Sequence, residues 1–66
     1  MKQITVQELK IGDMFIYNDT PRIVDKLIIK DYGIVYVVYK FLNIDGEFFR
    51  TLDVFDNTYP VFKISI

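Results

Sequence analysis

From Gly33 to Leu42 the chain carries β-branched and aromatic side chains almost without a break, the types that suit a pleated, half-buried surface. The odd positions Val35, Val37, Tyr39 and Phe41 are all apolar, whereas Ile34, Tyr36, Val38, Lys40 and Leu42 are mixed. A two-residue period of this kind predicts a central strand with one dry face and one partly covered face.

The rest of the pattern falls around that strand. Thr5-Val6-Gln7-Glu8 fits a capping box, with Ile4 and Leu9 placed as its hydrophobic staple. Gly12 follows so soon that only one helical turn is predicted. Gly12-Asp13 then turns the chain into a short strand, Met14 to Tyr17. Asn18 to Pro21 reads as a turn, rich in residues that bond their own backbone or preset φ. Arg22 to Lys30 is the second strand, and Asp31-Tyr32-Gly33 a three-residue hairpin loop with Gly33 in the left-handed position. Asp45-Gly46, within Asn43 to Glu47, is the strongest hairpin signal and leads into a strand from Phe48 to Val54. Asp56 to Pro60 is a break, and Val61 to Ile66 alternates as the final strand, with Phe62, Ile64 and Ile66 on one face.

Each hairpin fixes a register. A two-residue turn at Asp45-Gly46 sets Phe41 opposite Arg50, Tyr39 opposite Leu52 and Val37 opposite Val54. The loop at Asp31 to Gly33 sets Ile29 opposite Val35, Leu27 opposite Val37 and Ile23 opposite Phe41. The expected core is therefore Ile23, Leu27, Ile29, Val35, Val37, Tyr39, Phe41, Leu52 and Val54. Asp25 would face inward, opposite Tyr39. The other face would carry Val24, Lys26, Ile28, Lys30, Ile34, Tyr36, Val38, Lys40, Leu42, Phe49, Thr51 and Asp53. Ile28, Tyr36, Val38 and Phe49 would then form an apolar patch, unless the N-terminal turn (Ile4, Leu9, Ile11) folds over it.

Composition narrows the chemistry. With 66 residues the chain is one domain, 1–66, near the size at which a hydrophobic core alone suffices, and 52% hydrophobic residues supply that core. There is no cysteine and no histidine, so disulfides, the usual zinc sites and histidine general bases are excluded. Ser65 has no histidine to activate it. Most carboxylates fall at turns (Asp13, Asp19, Asp31, Asp45, Asp56), which turn chemistry explains. No glycine pattern suits a phosphate, and no cofactor, metal or small-molecule substrate is expected. A net charge of −1, scattered singly, disfavours duplex DNA or an anionic membrane as partner. No apolar run reaches the roughly 20 residues of a membrane helix, and no apolar stretch follows Lys2, so a cytoplasmic protein is expected. Alanine and tryptophan are absent while Ile, Lys, Asp, Tyr and Phe abound, as in AT-rich coding sequences of low-GC bacteria or their phages.

The opening Leu9-Lys-Ile-Gly12-Asp13 turn, the short strand and the turn ending at Pro21 resemble the start of small SH3-like barrels. The KOW-like N-terminal domain of translation elongation factor P is one of these. The resemblance implies an all-β, five-stranded SH3-like barrel with a short N-terminal helical turn. The lysine-bearing loop of elongation factor P has no counterpart in Asp31-Tyr32-Gly33.

The expected function is a non-catalytic protein-binding module that docks on a larger protein or forms a homo-oligomer. Its expected contact residues are Ile28, Tyr36, Val38 and Phe49. The final strand offers a second route, as an edge open to strand addition. The alternative is an RNA or single-stranded nucleic-acid module using Tyr36, Lys40 and Arg50, an aromatic platform with basic neighbours. An acidic pI of about 5.1 weighs against it.

Overall fold

The computed structural model describes residues 1–64, with all their side chains except those of Lys30 and Asp31; the predicted strand positions Ser65 and Ile66 lie outside the described residues. The chain is all-β: β1 (Lys2–Thr5), β2 (Met14–Tyr17), β3 (Thr20–Lys30), β4 (Ile34–Leu42), β5 (Phe48–Asp56) and β6 (Pro60–Ile64), with a 3₁₀ turn at Val6–Glu8 and a second 3₁₀ segment, Asp31–Gly33, in the hairpin between β3 and β4. The six strands form one antiparallel sheet in the order β1-β6-β2-β3-β4-β5. Two expectations are corrected here. Among the described residues there are six strands, not five, because Lys2–Thr5 pairs with β6; and the sheet is open, not a closed barrel. No helix among the described residues is long and apolar enough to cross a membrane.

The open sheet is nevertheless strongly curled. β2 and β5 are separated by β3 and β4, which in a flat sheet would put them roughly 14 Å apart. Yet the rings of Tyr17 on β2 and Phe55 on β5 meet edge-to-face with centroids 5.1 Å apart. Curling gathers Ile4, Val6, Leu9, Phe15, Val24, Val35, Val37, Tyr39, Phe55 and Val61 into one core on the inner face. Val6 N–H donates to the Tyr59 carbonyl at 2.9 Å and Gln7 N–H to the Asn57 carbonyl at 3.3 Å, so the 3₁₀ turn is laced across the mouth of the curl. The Glu8 carboxylate accepts the Thr5 hydroxyl at 2.9 Å and the Thr5 amide at 3.3 Å, and these bonds hold its pKa below the ordinary value.

The central strand behaves as its sequence implies. Val35, Val37 and Tyr39 are buried, and Phe41 packs against the core. The first hairpin also has the expected register, Ile29 opposite Val35 and Leu27 opposite Val37. Tyr32 and Gly33 both take positive φ, 69° and 75°. Ile29 itself is 71% exposed, because the hairpin tip runs past the end of the core in a molecule 38 Å long.

Two local irregularities overturn the remaining pairings. The second hairpin has a three-residue loop, Ile44-Asp45-Gly46: Gly46 N–H bonds the Asn43 carbonyl at 3.1 Å, Gly46 takes φ 81°, and Asn43 N–H closes on the Glu47 carbonyl at 2.8 Å. A type I turn followed by a left-handed residue adds one residue to the two-residue alternative. Phe41 therefore faces Phe49, Tyr39 faces Thr51 and Val37 faces Asp53. That one-residue slip reverses every side chain of β5: Phe55 enters the core, while Leu52 and Val54, expected inside, are 49% and 56% exposed. On β3 the register shifts between Val24 and Lys26, which makes Asp25 a bulge residue. Val24, opposite Tyr39, is then the core residue, and Ile23, opposite Lys40, is not. Asp25 does not meet Tyr39; it pairs with Arg50 at 2.7 Å.

Replacing the fully buried Phe15 by alanine should cost about 3–5 kcal/mol, a large part of the roughly 3–10 kcal/mol available to a domain this small. Ile29→Thr should change the denaturation midpoint by less than about 0.5 kcal/mol equivalent. Chemical denaturation of both variants checks the burial pattern; comparable losses would contradict it.

Candidate functional site

The N-terminal turn covers the inner face and leaves the outer one open. Ile4, Val6 and Leu9 are all in the core with Val35 and Val37, and Ile11 is exposed. The outer face is defined by cross-strand rows, since directly paired residues share a face. One row is Ile28, Tyr36 and Val54; the next is Lys26, Val38 and Leu52; then come Ile23, Lys40 and Arg50, followed by Leu42 and Phe48. Of the expected patch, Ile28, Tyr36 and Val38 thus lie together, each half-buried by its neighbours. Phe49 does not join them. It lies opposite Phe41 on the inner face, its ring 6.1 Å from that of Phe41, again because β5 is slipped by one. Leu52 and Val54 stand in its place. Val24, Thr51 and Asp53, expected on this face, lie on the inner one for the same reasons.

The apolar surface continues past Lys40. Met14, Pro21, Ile23, Leu42 and Phe48 line a cleft of about 470 Å³ together with Lys40 and Phe41. Lys40 and Arg50, proposed as a basic pair for nucleic acid, are direct cross-strand neighbours. Arg50, however, is tied to Asp25, and the Val38 row separates the pair from Tyr36. In this strip one of the two cations, Arg50, is paired with a carboxylate.

The final strand was the expected free edge, and the structure reverses this. β6 is paired on both sides, with β1 and β2; the sheet ends at β1 and at β5. Composition hid this, because nothing in the sequence distinguishes an edge strand from an internal one when both are apolar.

A second cluster, on the inner face, escaped sequence reading. Arg22 faces inward opposite Phe15, and its guanidinium carbon lies 4.7, 4.9 and 5.2 Å from the ring centres of Tyr39, Phe41 and Tyr17. Its Nε donates to the Tyr17 carbonyl at 3.2 Å and its Nη1 to the Tyr39 hydroxyl at 2.7 Å. Tyr39 in turn donates to the Asp53 carboxylate. A cation seated on three ring faces and a neutral hydroxyl bridging to a carboxylate satisfy the one polar atom that Tyr39 carries into the core. The signal was available: Asn18-Asp19, both at positive φ (50° and 60°), make a two-residue turn, which pairs Tyr17 with Thr20 and hence Phe15 with Arg22.

Burial, then the bond to Asp53, pushes the Tyr39 hydroxyl up to about 12, while Arg22 opposes the shift. At neutral pH the hydroxyl is therefore protonated and donates to Asp53, joining β3, β4 and β5 at the rim of the core.

Comparison of the chain with models of known protein families, with curated proteins and with solved structures gives no match.

Tyr39→Phe should lower stability by about 1.5–3 kcal/mol at pH 7, the range for hydrogen bonds to charged partners. Because the folded pKa lies above the unfolded one, this contribution is complete below pH 10 and disappears as the pH rises through about 12. The wild-type protein should therefore lose more stability between pH 10 and pH 12 than Tyr39→Phe does. Equal losses in pH-dependent denaturation would show that Tyr39 does not carry the alkaline transition.

Proposed function

We propose that this chain is a non-catalytic protein-binding module whose contact surface is the outer face of β3, β4 and β5. The contact residues are Ile28, Tyr36, Val38, Leu52 and Val54. The observation that carries the reading is that Leu52 and Val54 stand exposed beside an aliphatic and aromatic row while the N-terminal turn is used on the opposite face. An apolar surface that the fold leaves uncovered is the kind of feature that marks interaction sites. Tyr and branched aliphatic side chains fixed on strands lose little conformational freedom on contact. The absence of cysteine and histidine, and the structural use of Arg22, Tyr39 and Asp53, leave the reading without a catalytic group. We read the curled sheet as an opened SH3-like architecture, on the strength of the Leu9, Gly12, Asp13 and Pro21 opening.

A photo-crosslinking side chain placed at Val54 should give a discrete protein adduct, either with a second copy in the purified sample or with a component of a bacterial lysate. The same group at Ile44, on the second hairpin loop, should give none. Absence of an adduct at Val54, or equal labelling at both positions, would overturn the proposal.

A further inference from the structure

β5 is a nine-residue edge strand, and among the described residues it pairs with β4 alone. Its backbone orientation follows from the bonds at its two ends. Asn43 N–H bonds the Glu47 carbonyl, and Asn57 N–H bonds the Gly33 carbonyl at 2.7 Å, both in the register of the β4–β5 ladder. Hydrogen-bonded and non-bonded pairs alternate in an antiparallel ladder. Odd-numbered residues of β5 therefore point their N–H and C=O at β4, and Phe48, Arg50, Leu52, Val54 and Asp56 point theirs outward. Its charged side chains, Arg50 and the inward-facing Asp53, are engaged within the chain by Asp25 and Tyr39, and the other devices that blunt an edge are absent. The strand contains no proline, its register has no bulge, and it is long. The other edge, β1, is four residues long and carries Lys2, so it is blunted.

We infer that the occupant of the β5 edge is a second copy of this chain, joined by antiparallel β5–β5 pairing about a two-fold axis through Thr51. The inference rests on the protein-binding reading above and names its partner. The edge is self-complementary in this register. Four of the five outward-pointing residues are used, Phe48 opposite Val54 of the second copy and Arg50 opposite Leu52 of the second copy, giving about eight new main-chain bonds; the fifth, Asp56, has its carbonyl taken by the Tyr59 amide. Thr51 meets Thr51 of the second copy on the inner face, a favourable cross-strand pair. No like charges stand directly opposite, and Arg50 keeps its bond to Asp25. Neighbouring registers are worse. An axis through Asp53 sets that carboxylate against itself. An axis through Leu52 sets Phe48 against Asp56, whose carbonyl already accepts the Tyr59 amide at 3.0 Å. The pairing also extends the outer face: the row Ile28, Tyr36, Val54 runs on into Phe48 and Leu42 of the second copy, so that the exposed Phe48, Leu52 and Val54 shelter one another.

The purified chain should sediment at twice the 7.9 kDa of the monomer. Leu52→Pro removes an outward N–H and no bond to β4; it should sediment as a folded monomer. Where the proline itself unfolds the chain, a synthetic chain carrying N-methyl-Leu52 deletes the same donor and keeps the side chain. The sequence contains no cysteine, so Thr51→Cys is a clean register probe: in a non-bonded pair the two Cβ atoms are close enough for a disulfide. It should oxidise to a covalent dimer, and Asp53→Cys should not. A monomeric wild-type chain, a folded Leu52→Pro dimer, or preferential crosslinking at position 53 would overturn the inference. A monomer that still yields an adduct at Val54 with another protein would overturn the second-copy partner and leave the binding reading intact.

Discussion

The contact between Tyr17 and Phe55 is the constraint on which the rest of the molecule depends. A single sheet has two faces and can dry only one of them without a second layer. Among the described residues no α-helix serves as that layer, and the 3₁₀ segments Val6–Glu8 and Asp31–Gly33 are three residues each. Curling until strands three places apart touch is the remaining solution, and the inner face becomes a core of short β-branched side chains around Phe15, Tyr39 and Phe55. The geometry has a cost at the rim, where a tyrosine hydroxyl is carried inward. Arg22 and Asp53, brought in from the two strands that flank β4, meet that cost with hydrogen bonds.

Much of this was legible in the sequence, and the failures are physical. The parity of β4 was readable because Val35, Val37 and Tyr39 alternate over a run long enough to exclude a slip, and the loop at Tyr32-Gly33 was readable because Gly33 suits the positive φ it adopts. The second hairpin was misread because Asp-Gly serves two turn geometries. As the centre of a two-residue turn it gives one register; as the end of a type I turn with Gly46 left-handed it gives the next. The apolar pattern of β5 does not arbitrate, since Phe49, Leu52, Val54 and Phe55 offer candidates on both faces. The same single residue moved Phe49 off the proposed contact face and brought Leu52 and Val54 onto it. The bulge at Asp25 was hidden for a related reason. Val24 and Ile23 are both apolar, so the sequence tolerates either as the inward residue, and only the three-dimensional need to place Arg22 over Tyr39 and Phe41 selects Val24.

The position of the N-terminal segment decides which face is left for partners. Ile4 and Leu9 have the spacing of a hydrophobic staple around a single turn that carries Val6, and a staple says that the segment packs, not where. Its location is set by backbone bonds, from Val6 to Tyr59 and from Gln7 to Asn57, which tie it to the connection between β5 and β6. That connection lies at the mouth of the curl, so the three apolar side chains enter the core and Ile11 is left in solvent. The outer rows then have no covering element among the described residues.

The same bonds explain why the sheet stays open. Closing it into a barrel would require β1 to run along the free flank of β5. β1 uses one edge on β6 through four paired positions, Lys2 to Thr5 against Lys63 to Pro60; its other edge does not meet β5 among the described residues, and the chain beyond it bonds the turn that follows β5. The flank from Phe48 to Val54 is therefore unpaired as a consequence of how the core is capped, not as a separate accident of the strand. An edge produced in this way is present whenever the core is intact. The feature that would bind a partner and the feature that stabilises the monomer are set by one placement of the first nine residues.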